Sequence, residues 1–262
     1  MFIDIFIFEL RYRLKRPATY LYFLVFFLLV FFAIASDSVT IGEQAGNMLR
    51  NSPSAIYRIT AIISAFGMLV VSAIMSTPVL RDYEHNVSPV LYSYPLQKFA
   101  YLGGRFLGSY VYAIFVFLSI PLGILLGSMV APAAGWIEAS RFDSFRVMPY
   151  FWPFLILVIP NTFFSGAIFF SLSSLKRRMA YSYLGSTLLL VFYVWVMAQL
   201  SELDNKALAA IIDPFGIGTY FVETEYWTPS EINKLLIPFS GNLLINRVLW
   251  LAVGFCLRSE ER

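Results

Sequence analysis

The chain has 262 residues, of which 59% are hydrophobic, 18% aromatic and only 13% charged, with a net charge of +3. A soluble domain carries about 25% charged residues, so this chain has more apolar surface than a water-soluble fold could hide, and a bundle solvated by lipid is expected rather than a soluble enzyme. A single cysteine, Cys256, and a single histidine, His85, exclude an internal disulfide, a thiolate metal cluster and any site that needs two imidazoles.

Residues 1–17 mix Phe and Ile with Asp4, Glu9, Arg11, Arg13, Lys15 and Arg16. Phe2, Phe6 and Leu10 recur at helical spacing, which predicts a helix lying in the membrane interface and ending at Pro17. Residues 19–35 carry no charge and reach about 25 Å as a helix, enough to cross a bilayer. Ala33-Ile34-Ala35 before Ser36 also resembles the end of a signal peptide; the long, largely apolar and partly acidic leader favours a retained span instead.

Four further spans are expected at 56–80, 102–130, 148–175 and 181–200. The segment 241–257 reads as a short or truncated sixth, because Asn246 and Arg247 interrupt it. Pro160 should kink the fourth span. The 201–240 loop is expected to be ordered. Residues 201–212 could form a short helix, and Asp213-Pro214-Phe215-Gly216 has the residue types of a type I turn. Thr228-Pro229-Ser230-Glu231 has the pattern of a capping box with Pro at the first helical position, and Pro238 limits the helix it starts. The fold class is therefore all-α: one polytopic membrane domain over 1–262, with about six transmembrane helices and an N-terminal interfacial helix.

With the N-terminus inside, inner segments hold 12 of the 19 basic residues and outer segments the other seven: Arg50, Arg58, Arg141, Arg146, Lys206, Lys234 and Arg247. The tight inner clusters at 11–16 and 176–178 strengthen that bias.

All 16 acidic residues fall outside the five clear spans. Ion-coupled carriers usually bind their ion with an intramembrane carboxylate, so a secondary transporter is disfavoured. Membrane serines such as Ser64, Ser72, Ser165 and Ser171 have no intramembrane His or Lys to activate them, and are read as packing residues. Asp82, Glu84 and His85 lack further ligands at a recognisable spacing, so no metal site is expected. Gly104-x-x-x-Gly108 and Gly123-x-x-x-Gly127 permit close helix approach, either inside the bundle or at a dimer seam. No GxxxxGK[ST] sequence is present, so any ATP used must be hydrolysed by another polypeptide.

These features together resemble an ABC-2 type transporter permease. The likeness rests on three loose motifs that cover essentially the whole chain. The first is the charged N-terminal helix with Glu9 and Arg11 to Arg16, then Pro17 and a span. The second is Arg81-Asp82-Tyr83-Glu84, followed by Tyr94-Pro95-Leu96-Gln97-Lys98 and Tyr101-Leu102-Gly103-Gly104-Arg105-Phe106-Leu107-Gly108. The third is Asp213-Pro214-Phe215-Gly216 with Glu225-Tyr226-Trp227-Thr228 and Asn246-Arg247-x-Leu249-Trp250. The combination is similar to Bacteroidota-type permeases, some of which are fused to a zinc aminopeptidase-like domain. No peptidase domain lies within these residues, so no peptidase activity is carried over. The resemblance implies a multi-pass exporter subunit of a bacterial inner (cytoplasmic) membrane, N-terminus inside. It also implies a homo- or heterodimer of permeases, paired with an ABC ATPase subunit. Arg81, Asp82, Glu84 and Lys98 would dock that ATPase, in a loop restricted by Pro89 and Pro95. No cofactor, bound metal, catalytic residue or nucleic-acid partner is implied. The alternative is a non-transporting membrane anchor or regulatory subunit; an intramembrane enzyme is a weaker third.

Overall fold

A computed structural model of the chain describes residues 1–39, 41, 48–84, 97–176, 178–200 and 206–259. Of the side chains in its helices, those of residues 82–84, 98, 196, 199, 200, 258 and 259 fall outside that description, as do the calls for His85, Pro89, Pro95 and residues 201–205.

The described residues contain twelve α-helices. They are α1 (Phe2–Leu14), α2 (Pro17–Ala35), α3 (Pro53–Glu84), α4 (Lys98–Phe117), α5 (Ser119–Ala133), α6 (Met148–Pro153), α7 (Ile159–Lys176), α8 (Met179–Leu200), α9 (Lys206–Ile212), α10 (Ile217–Thr224), α11 (Pro229–Lys234) and α12 (Gly241–Ser259). Four continuous apolar stretches are long enough to cross a membrane: Pro17–Ala35, Pro53–Arg81, Phe99–Ala133 and Met148–Lys176. They extend the expected 19–35, 56–80, 102–130 and 148–175 by a few residues at most ends. The helices α8 and α12 cover the expected 181–200 and 241–257.

Prolines punctuate the long helices for a definite reason. Pro121 has no N–H for the carbonyl of Phe117, and the third stretch breaks next to it, at Leu118, into α4 and α5. Pro160 has none for the carbonyl of Ile156. Here the chain forms one π turn over Phe154–Val158, between α6 and α7. The expected disturbance at Pro160 thus takes the form of a wider turn just before it, which relieves the clash between the proline ring and the preceding turn.

The centre of the bundle is α3, which packs against α7, α8, α4 and α6. Its Ile56, Ile59, Ile63, Met68, Val71, Ile74 and Met75 belong to one buried cluster with Phe117, Ile120, Tyr150, Phe169 and Phe170. The outer faces are apolar as well. Leu21, Leu24, Val25, Leu28 and Phe32 of α2 are exposed, as are Leu184, Leu188, Val191, Phe192 and Trp195 of α8. Water does not tolerate a contiguous apolar face of this extent, and hydrocarbon does. Apolar core and apolar exterior together mark a membrane-embedded protein.

Both glycine motifs serve packing inside the chain. A Cβ on Gly123 would lie 2.5 Å from Val30 Cγ2 and 2.7 Å from the carbonyl oxygen of Phe27, and one on Gly127 would lie 2.9 Å from that of Phe31. They therefore let α5 lie directly on α2. Gly104 and Gly108 do the same for α4 against α1, beside Ile5 and Glu9.

The loop after α8 is ordered where it is described. Thr228 and Glu231 form the expected reciprocal capping box, with the Thr228 amide donating to Glu231 Oε2 at 2.8 Å. The helix it starts ends at Lys234, before Pro238. Arg146 donates to the carbonyls of Lys234 and Asn233 at 2.9 and 3.1 Å, and Trp152 Nε1 donates to that of Ile237 at 2.8 Å.

Replacing Gly123 with Val should separate α5 from α2. We expect a loss of about 1–3 kcal/mol, typical of overpacking a close contact, read as a lower thermal midpoint of the detergent-purified protein. A midpoint equal to the parent's would show that this glycine contact is not needed.

Candidate functional site

Helix α1 places its charges in an unexpected direction. Ile3, Ile7 and Phe8 are exposed, while Glu9 is fully buried and Arg13 nearly so. Sequence periodicity points to Phe2, Phe6 and Leu10 as the apolar stripe of an interfacial helix. These are only half-buried, and the most deeply covered positions are the charged pair.

The reason lies in α3. Pro78 sits inside that helix and offers no N–H to the carbonyl of Ile74 one turn earlier. Arg13 Nη2 supplies the missing donor at 2.8 Å. Its Nε donates to Glu9 Oε1 at 2.8 Å, the i,i+4 neighbour on α1. The other carboxylate oxygen, Oε2, accepts from Arg81 Nη2 at 2.9 Å and lies 3.9 Å from Arg105 Nη1. Arg105 in turn donates to the carbonyl of Pro78 at 2.5 Å. The guanidinium of Arg81 also lies over the Tyr12 ring, 4.5 Å from its centroid, and that of Arg13 lies 5.2 Å from the Tyr112 ring centroid.

One carboxylate therefore holds three guanidinium groups from α1, α3 and α4, at the end of the bundle where residues 85–96 connect α3 to α4. Burial raises the Glu9 pKa, but the attraction of Arg13, Arg81 and Arg105 outweighs it and leaves the group below its ordinary value. Glu9 stays ionised at neutral pH. The cluster is an ionic joint that ties α1 to the last turn of α3 and to α4.

Of the proposed docking residues, Arg81 points into this joint. Asp82 and Glu84 belong to the last turn of α3, and Lys98 is the first residue of α4; their side chains lie outside the described residues. The sequence reading of Arg81 as a docking residue did not reveal Glu9, Arg13 and Arg105 as its partners. A usable signal was present: Glu9 and Arg13 at i,i+4, and Arg105 as the only charge within 102–130.

A second polar centre joins α7, α8, α12 and the Asp213–Gly216 turn. Arg247 is 1% exposed. Its Nη1 donates to Asn161 Oδ1 at 2.6 Å, and its Nε to Asn246 Oδ1 at 2.9 Å. Asn246 Nδ2 donates to the carbonyls of Ala210 and Asp213, both at 2.7 Å. Asn161 Nδ2 donates to Ser64 Oγ at 2.9 Å and to the carbonyl of Phe215 at 3.1 Å. Asp213, fully buried, accepts from Tyr193 Oη at 2.9 Å and from the amides of Phe215 and Gly218 at 2.9 and 2.6 Å. Gly216 completes the turn at φ +80, where a side chain would be strained and would also meet Arg247. Hydropathy treats Asn246 and Arg247 as an interruption. In three dimensions they satisfy each other and the turn, so α12 runs through them. Hydropathy also leaves Asp213 in a loop, although it is as buried as any core residue.

The chain is thus an all-α protein with apolar membrane-length helices and two buried polar joints. No family model matches its sequence, and comparison with curated proteins finds no match.

Replacing Glu9 with Gln leaves Arg13 and Arg81 without their counter-charge. Breaking a buried pair from one side costs about 3–5 kcal/mol, and the thermal midpoint should fall accordingly. Because folding lowers the Glu9 pKa below its ordinary 4.5, its contribution is complete above pH 4.5 and is lost as pH falls through the folded value. The parent should therefore lose stability on acidification through that window, and Glu9→Gln should lose less. Parallel acid profiles for the two proteins would show that Glu9 is not the titrating group.

Proposed function

We propose that the chain is the membrane-spanning permease subunit of an ABC transporter of the ABC-2 type, working as an exporter in a bacterial inner membrane, with ATP hydrolysed by a separate subunit. The observation that carries this reading is the Glu9 joint. A permease without its own P-loop must receive its power stroke mechanically, and α1, α3 and α4 are tied together at the end where an ATPase would push. Arg81 acts from within the joint. Asp82, Glu84 and Lys98 are the proposed contacts, and their mixed charge suits a polar, reversible interface.

The tight basic clusters at 11–16 and 176–178 support an inside N-terminus. Among the residues whose side chains are described, Arg11, Lys15, Arg16, Lys176 and Arg178 on that side are not locked within the bundle. Six crossings follow if α8 and α12 also span. At 1.5 Å per residue they reach about 33 and 28 Å, against a hydrocarbon thickness of about 30 Å. In the complete transporter we assign two permease copies, identical or related, to each pair of ATPase subunits.

In a Cys256→Ser background, a cysteine at position 225 should react with a membrane-impermeant maleimide in intact cells, and one at position 178 should not. The reverse pattern would overturn the topology. The purified chain should hydrolyse no ATP alone, and an ABC ATPase subunit should co-purify with it from its native host. Combining Asp82→Lys with Glu84→Lys should reduce that capture severalfold while the permease remains inserted. Parental capture and transport by the double variant would remove the docking assignment, and absence of any ATPase partner would favour a membrane anchor.

A further inference from the structure

At the elbow where α1 passes into α2, a cavity of about 100 Å³ opens beside Arg13 and Arg16, with Tyr22, Thr77, Tyr112 and Tyr183 among its walls. Among the described residues, no carboxylate lines it. The nearest acid in the joint, Glu9, is occupied by three guanidinium groups. Arg13 is 5% exposed and fixed in place by Glu9 and the Ile74 carbonyl. Arg16 is exposed; its guanidinium lies over the Tyr12 ring at 4.4 Å and hydrogen-bonds the Tyr12 hydroxyl, which sets its direction. Thr77 and Tyr112 give their hydroxyl hydrogens to the Ala73 carbonyl and to Thr19 Oγ1, and the Tyr22 phenol can donate to an anionic oxygen. The wall is therefore cationic, with Arg13 and Arg16 as its charges.

Size and surroundings narrow the occupant. The cavity has room for several waters or for a tetrahedral oxyanion. The outward faces of the two helices that meet here carry exposed apolar residues, Tyr20, Leu21 and Leu24 on α2 and Phe8 on α1, with Arg11 and Lys15 exposed on α1 as well. A diester phosphate seated between the two helices could lay its acyl chains along those faces. A free phosphate would leave them uncovered.

We propose that this elbow binds the phosphate group of a membrane phospholipid in the leaflet on the side of the N-terminus, with Arg16 as the primary contact and Arg13 as a fixed positive wall. The bound lipid would brace the angle between α1 and α2 beside the Glu9 joint. The proposal rests on the membrane-embedded character of the chain and is independent of the permease reading.

The test uses the full-length protein, delipidated in detergent. Phosphatidylglycerol retention is measured by native mass spectrometry and its effect on the thermal midpoint is recorded. Monogalactosyldiacylglycerol, which has acyl chains and no phosphate, and inorganic phosphate serve as separate probes. Phosphatidylglycerol should be retained and should raise the midpoint, and the other two should not. Arg16→Gln should weaken apparent affinity about fivefold, the worth of one basic side chain at an anionic leaflet. Tyr22→Phe should weaken it less. Arg11→Gln, on the same helix but away from the cavity, should leave it unchanged. All three positions are at least partly exposed, so folding should survive. Unchanged retention in Arg16→Gln, an equal loss in Arg11→Gln, or equal stabilisation by the galactolipid would overturn the proposal. Full stabilisation by inorganic phosphate alone would assign the cavity to a free anion and overturn the lipid.

Discussion

Pro78 has no amide hydrogen, and the carbonyl of Ile74 inside α3 must therefore find its donor on another helix. Arg13 supplies it. That single requirement brings a guanidinium into the interior of the bundle, and a buried cation needs a counter-charge. Glu9, one turn earlier on α1, is positioned by helix geometry to be that counter-charge. Once a carboxylate is buried there, its second oxygen draws in Arg81 from α3 and approaches Arg105 from α4. A defect in one helix thus fixes how three helices meet.

Close approach of those helices depends on the absence of side chains elsewhere. Gly104 and Gly108 remove the Cβ atoms that would hold α1 off α4, and Gly123 and Gly127 do the same between α5 and α2. The same backbone device thus seats the short charged helix α1 and the membrane-length α2. Inside a bilayer, apolar contact alone gives helices little reason to prefer each other over lipid, so tight backbone approach and buried polar bonds carry the association. The second polar centre follows that logic at α12. Arg247, Asn246, Asn161 and Asp213 form a bonded group around the Asp213–Gly216 turn, so a helix with low hydropathy in its first half can lie against α7.

These two joints differ in what they could transmit. The Asp213 centre ties a turn, a helix start and two long helices through short bonds in which Arg247 and Asp213 meet neutral partners, with no direct ion pair between them, and suits a fixed anchor. The Glu9 joint is ionic, lies where α3 ends and α4 begins, and includes a helix whose exposed face carries Ile3, Ile7 and Phe8 alongside Asp4 and Arg11.

The sequence by itself determined the helical class, the positions of the apolar helices to within a few residues, the capping box at Thr228 and Glu231, and the π-turn disturbance before Pro160 in kind if not in form. Each follows from local chemistry: charge-free length, a side chain that reaches a nearby amide, a missing N–H. Only the tertiary structure decided which way α1 faces, that Arg50, Arg58, Arg105 and Arg247 are interior, that Asp213 is buried though it lies in a loop, and that the glycine pairs serve contacts within the chain. Hydropathy scores a charged residue as exposed because an unpaired charge belongs in water. Whether a partner waits for it depends on residues tens or hundreds of positions away, such as Asn161 for Arg247 or Pro78 for Arg105, and that pairing exists only after the helices have packed.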